Sequence, residues 1–115
     1  MDKKEFLKSY FAQQQDLINF DDVILNDLVV LSDILIKTNE SKKKTMIFGN
    51  GGSAAMASHF SVDLTKNARI RCTNYNESDL LTCFSNDFGY EYWVEKSIEY
   101  YADENDVAIF ISAGG

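Results

Sequence analysis

Proline is absent from this 115-residue chain, and five of its six glycines sit in two places, at 49–52 and 114–115, with Gly89 between them. That distribution excludes low-complexity linkers and leaves one domain, or part of one, as the expected size class. Cysteine is scarce too. Cys72 and Cys83 have ten residues between them and form no Cys-x-x-Cys pair, which excludes a zinc knuckle and a disulfide framework and predicts reduced thiols. Positive charge is the minority sign: 11 Lys and Arg stand against 18 Asp and Glu, a net charge of -7. A nucleic-acid footprint needs a clustered basic face, and the only basic run, Lys42-Lys43-Lys44, reads as a solvated helix end. No segment approaches the ~18 consecutive apolar residues of a membrane span. The start, Met1-Asp2-Lys3-Lys4-Glu5, leads into no apolar signal region, so a cytoplasmic location is expected.

What is present centres on Gly49-Asn50-Gly51-Gly52-Ser53, which follows the strand-like run Met46-Ile47-Phe48 and precedes a helix-like run from Ala54 to Leu64. A strand, a glycine loop and a helix in that order make a phosphate site: the backbone approaches closely, and free N–H groups and the helix dipole favour an anion. Two other readings stay open on spacing alone. Gly49-x-Gly51-x-x-Ala54 also fits a loose dinucleotide fingerprint, with Glu77 near the place of a ribose-binding acid, and a tight turn without a ligand has the same pattern.

Around the loop the chain alternates. Phe6, Leu7, Tyr10, Phe11, Leu17 and Ile18 mark one amphipathic helix over 3–19. A second begins at Asp22 with so little polar face that burial on two sides is expected. More apolar surface results than half a sheet can cover, and association with a partner subunit would cover it. A strand at 45–48, a helix at 53–66, a strand at 68–73, a short element at 78–84, a helix carrying Tyr90, Trp93, Val94, Ile98 and Tyr101, and a strand at 107–111 follow. This pattern predicts a parallel α/β sheet with right-handed crossovers, and a division into a helical pair at 1–44 and an α/β region at 45–115. Ser112-Ala113-Gly114-Gly115 reads as a strand-to-helix loop, so the chain is expected to be the front part of a longer fold.

His59 and Asp63 lie four residues apart, so one helix face carries both, able to share a metal or a substrate or simply to pair with each other. Zinc needs three or four ligands, and spacing supplies no others. Asn86-Asp87 is expected to precede a helix starting near Phe88 or Gly89, with Asp87 capping it or the loop binding a polyol at the carboxyl edge of the sheet. Ser112 stands at the next strand exit, where it can donate to a phosphate. The aromatic residues Tyr90, Tyr92, Trp93, Tyr100 and Tyr101 read as packing or subunit contact.

Taken together, Gly49 to Ala55, His59-Phe60 with Asp63-Leu64, Ser85-Asn86-Asp87-Phe88-Gly89-Tyr90-Glu91, and Asp106-Val107 through Ile111-Ser112 resemble the sedoheptulose 7-phosphate isomerases, or phosphoheptose isomerases, of the sugar-isomerase (SIS) fold. The resemblance implies a three-layer, doubly wound parallel sheet behind two leading helices. It also implies a cytoplasmic homotetramer that binds zinc and converts sedoheptulose 7-phosphate to D-glycero-D-manno-heptose 7-phosphate for lipopolysaccharide or capsule. By position Asn50, Gly51, Gly52 and Ser53 would contact substrate, His59 and Asp63 would ligate the metal, and Asp63 would also act as acid/base. Asn86 and Asp87 would hold sugar hydroxyls, and Ser112, Ala113 and Gly114 fall on the phosphate loop.

The chain departs from the family pattern twice. Asp63 replaces a usual glutamate, and Ser112-Ala113-Gly114-Gly115 replaces Ser-Thr-Ser-Gly, with two fewer hydroxyl donors. An isomerase, or its N-terminal part, is therefore the leading expectation. A non-catalytic phosphosugar-binding module, an inactive truncated product and, more distantly, a dinucleotide dehydrogenase are the alternatives.

Overall fold

The computed structural model describes residues 2–115. The chain forms two compact units, Met1–Asp33 and Ile34–Gly115, with the boundary inside the second helix.

In the first unit, α1 spans Lys3–Leu17. Asp2 starts it, its carboxylate accepting the Lys4 N–H at 3.3 Å and satisfying one of the free first-turn donors. Helix α2 spans Asp22–Glu40 and begins the same way, with Asp21 accepting the Ile24 N–H at 3.0 Å. The expectation that α2 is buried on two sides is corrected: only Leu35 and Thr38 are buried, both in its last turns. Phe11, Leu17, Ile18, Val23, Leu25 and Val29 are all exposed.

The end of α2 belongs to the second unit because Asn39 ties it there. Its side chain donates to Arg69 O at 3.1 Å and accepts the Arg71 N–H at 3.0 Å, fixing the approach to the edge of the sheet. The sheet has β1 (Thr45–Gly49) in the middle, β2 (Cys72–Asn74) on one side and β3 (Val107–Ile111) on the other, all parallel. Every residue of β1 is buried, which is why this strand reads as an unbroken apolar run.

Helix α3 (Gly52–Lys66) packs on one face of the sheet. On the other, Met46, Phe48, Tyr75 and Trp93 form a core against α4 (Ser78–Phe88) and α5 (Trp93–Tyr101), through Leu80, Leu81, Phe84, Val94 and Ile98. The Phe48 ring stacks on Tyr75 at 5.1 Å and meets Trp93 edge-on at 6.0 Å; truncating such a residue to alanine costs about 3–5 kcal/mol. The three layers and the double winding match the expected class. Strand β2 is shorter than expected: Asn39 takes Arg69 O and the Arg71 N–H, and ahead of Cys72 only Arg71 O reaches β1, accepting the Thr45 N–H at 3.0 Å. Among the described residues β3 pairs only with β1, which leaves its outer edge without a partner strand there, and Ala108 and Phe110 are exposed.

Candidate functional site

Helix α3 carries the chain from β1 to β2, whereas α4 and α5 carry it back across to β3 on the opposite side of β1. The carboxyl ends of β1 and β3 therefore flank a switch in winding direction, the place where open α/β sheets bind ligands. Gly49 and Ile111 are register partners there, so Asn50 and Ser112, the next residues of each strand, emerge side by side.

The glycine loop folds tightly for two separate reasons. A Cβ on Gly49 would lie 2.2 Å from Ser53 O, so only glycine lets α3 start this close to the strand. Gly51, the N-cap, has φ 57 and ψ -122, a conformation that residues with a Cβ rarely hold. No side chain caps α3, and its positive dipole end is left open to an anion.

Two hollows share this edge. One, of about 270 Å³, is lined chiefly by Phe48, Asn50, Tyr90, Glu91, Trp93 and Ser112. The other, of about 370 Å³, is lined by Asn50, Ser53 and Ser112 with Ala113, Gly114 and Gly115. Asn50, Ile111 and Ser112 line both. Neither lining contains a lysine or arginine, so an anion here would be held by N–H groups and hydroxyls, and the hollow without Glu91 suits it better. The Ser112 hydroxyl accepts the Gly115 N–H at 2.9 Å, which shapes the loop and leaves the O–H free to donate.

The structure thus brings together Asn50, Ser53, Ser112, Ala113 and Gly114, with Gly51 and Gly52 exposed on the loop beside them. His59 and Asp63 are elsewhere. They pair with each other at 3.3 Å on α3, with 80% and 48% of their side chains exposed. At 1.5 Å per residue they lie roughly two and three turns down the helix from Gly52. The described residues contain no group of three or more metal-capable side chains. Two donors fall short of the three protein ligands that even an open zinc site uses, so these residues do not by themselves fit the metal.

Asn86 and Asp87 require a correction of position. They occupy the last turn of α4, which runs on to Phe88, and Asp87 caps no helix. Its carboxylate accepts instead from Asn86 Nδ2 at 3.3 Å and Cys83 Sγ at 3.5 Å, and neither residue lines the paired hollows. Glu77, the acid of the dinucleotide reading, is the N-cap of α4 and accepts the Asp79 and Leu80 N–H groups at 3.0 and 3.1 Å. Tyr90, Glu91 and Trp93 were not expected in the cleft. The signal available was the aromatic cluster after Gly89, which reads as packing.

No family model matches the chain. The phosphoheptose isomerase of Helicobacter pylori (strain ATCC 700392 / 26695) is 34% identical over 119 aligned positions, covering 98% of this chain and 60% of that protein. The chain is a relative of the phosphoheptose isomerases. The phosphoheptose isomerase of Aliarcobacter butzleri (strain RM4018) is 29% identical, with 98% and 63% of the two chains covered. Among solved structures, phosphoheptose isomerase GmhA from Neisseria gonorrhoeae superposes with a TM-score of 0.87 over 96% of this chain and 61% of its own, at 23% identity, a likeness of fold. The chain spans about 60% of the length of these phosphoheptose isomerases. None of its described helices is long and apolar enough to cross a membrane.

Proposed function

We propose that this chain serves an aldose–ketose isomerase acting on a phosphosugar, sedoheptulose 7-phosphate to D-glycero-D-manno-heptose 7-phosphate, in the cytoplasmic supply of heptose for lipopolysaccharide or capsule. The observation that carries the reading is the pair of hollows joined at Asn50 and Ser112, on the carboxyl edge of a fold shared with phosphoheptose isomerases. The phosphate belongs against Ser53, Ser112, Gly114 and the open end of α3. The sugar chain extends past Asn50 toward Tyr90 and Trp93, where polar tips and apolar ring faces suit a polyol.

Isomerisation moves one proton from C1 of the ketose to C2 of the aldose through an enediol, while the C2 carbonyl becomes a hydroxyl and C1 becomes the carbonyl. Asp63 is the proposed base. Its distance along α3 from the loop means that donors beyond one copy of these residues would have to complete the reaction centre, and the same holds for zinc at His59 and Asp63. Self-association, to a tetramer in the proposal, gives the exposed apolar residues of α1 and α2 a partner surface.

Calorimetric titration with sedoheptulose 7-phosphate, with and without zinc, tests this reading when product is assayed in the same sample. Heat of binding with isomerised product is the expected result; a chain that neither binds nor converts the sugar sinks the reading. A second reading, phosphosugar binding without turnover, is favoured by the separation of Asp63 from the paired hollows, and saturable binding with unchanged sugar would select it.

A further inference from the structure

Tyr90 is half exposed, although it belongs to an aromatic cluster that reads as packing. Its hydroxyl donates to Asn50 Oδ1 at 2.5 Å across 40 residues of sequence. Among the described residues this is the one side-chain hydrogen bond that joins the α4–α5 junction to the glycine loop. The bond commits the amide oxygen of Asn50. Its Nδ2 has no partner among the described residues, while Asn50 itself lines both hollows.

We propose that Tyr90 is a positioning residue that locks the Asn50 amide with its oxygen turned to the tyrosine and its NH₂ presented to ligand oxygens. This rests on the phosphosugar reading for the ligand, but not for the lock itself. An untethered asparagine at a loop tip samples both amide orientations, and one of them points a carbonyl oxygen at the oxygens of a phosphate or hydroxyl. Fixing the orientation before binding removes that unproductive state and the cost of ordering the side chain. The junction suits the task. After the turn at Gly89, residues Tyr90–Tyr92 form a single 3₁₀ turn that aims the ring back over the edge of the sheet, and Trp93, buried in the core beneath, holds that turn in place. Packing alone does not account for a ring that leaves half its surface in solvent and places its hydroxyl on the cleft rim.

Two variants separate the lock from the contact. Tyr90→Phe keeps the ring and removes the hydroxyl. Asn50→Asp keeps an acceptor for Tyr90 but replaces the NH₂ donors with an anionic oxygen. Side-chain amide NMR of the free 115-residue chain reads the lock directly: the Asn50 NH₂ is expected to be ordered in the wild type and to gain mobility in Y90F. Titration with sedoheptulose 7-phosphate, and separately with inorganic phosphate, reads the consequence. Y90F is expected to bind about threefold to tenfold more weakly, the worth of one net hydrogen bond, and N50D more weakly still with Tyr90 held as before. Thermal melting checks that both variants fold.

An Asn50 amide equally ordered in wild type and Y90F overturns the inference, as does Y90F binding as tight as wild type. A wild-type chain that binds phosphate but not the sugar phosphate removes the heptose reading and leaves the lock to be judged on phosphate. If neither probe binds, the phosphosugar reading fails and the amide dynamics alone decide the lock.

Discussion

Lys44 meets Asp106 twice: its ammonium lies 2.5 Å from Asp106 Oδ2, and its backbone N–H donates to Oδ1 at 2.9 Å. The Asp103 N–H adds a third bond to the same carboxylate at 2.7 Å, and the Asp106 side chain is 4% exposed. This knot joins the residue before β1 to the residue before β3 and so sets the Thr45–Val107 register on which the cleft edge depends. Burial by itself would raise the Asp106 carboxyl. The hydrogen bonds from Lys44 and from the two N–H groups outweigh it and hold the group at about 2, below its ordinary 3.8.

Because the folded value is depressed, the stabilisation is complete above the unfolded value of 3.8, declines as pH falls, and is lost below about 2. Asp106→Asn is expected to cost about 1.5–3 kcal/mol near neutral pH, the range for hydrogen bonds to charged groups. Urea denaturation across the acid range should show a steeper loss of stability in the wild type than in the variant.

The loop glycines should separate by what a methyl group meets. Gly49→Ala drives a Cβ into backbone at 2.2 Å and should cost at least the ~1–3 kcal/mol of an overpacked core. Gly52→Ala meets nothing within 4 Å at an ordinary φ, so thermal melting should show a gain of about 0.4–1 kcal/mol. Gly52 opens the first turn of α3, so with the phosphate against that helix end, as proposed, calorimetry should find phosphosugar binding weakened in this more stable variant.

His59 and Asp63 form an exposed pair one helical turn apart, a contact worth at most about 0.5 kcal/mol. His59→Ala and Asp63→Asn should therefore melt within a degree or two of the wild type. If they also abolish turnover in an active preparation, the loss belongs to chemistry and not to folding; a large drop in melting temperature would contradict the geometry.

The two thiols should react at very different rates. Cys72 is buried, and burial pushes its pKa up to about 11, so alkylation at mildly alkaline pH should spare it while the chain is folded. Cys83 is exposed, but its hydrogen bond to Asp87 and the charge of that carboxylate raise its pKa and suppress the thiolate. Asp87→Asn should accelerate labelling at Cys83 without exposing Cys72, as mass spectrometry of timed samples would read.

Much of the fold was legible because its signals are local. The apolar run Met46–Phe48, the glycines behind it and the apolar run Val107–Ile111 each announce their element within a few residues. The place of Asn50 and Ser112 at one edge of the sheet was legible for the same reason, since each is the residue that follows a strand. Asn86 and Asp87 misled for an equally local reason. Both residues favour turns and caps, yet α4 closes over them with the Gly89 N–H reaching Ser85 O at 3.0 Å. The tether from Tyr90 to Asn50 spans 40 residues, and no short-range pattern encodes it. For His59 and Asp63 the helix was legible, and spacing along it already sets the two residues roughly two and three turns from Gly52.

The open side of β3 bears on how the chain behaves in the test tube. Val107-Ala108-Ile109-Phe110-Ile111 is uncharged, strongly β-forming and free of proline, and among the described residues no strand pairs with its outer row of N–H and C=O groups. Such a segment templates strand addition, and in identical copies it can stack into fibrils. Protein concentration, more than temperature, should set how long a preparation stays clear, and a lysine in place of the exposed Ala108, which lies outside the cleft, would be the simplest way to lengthen that time.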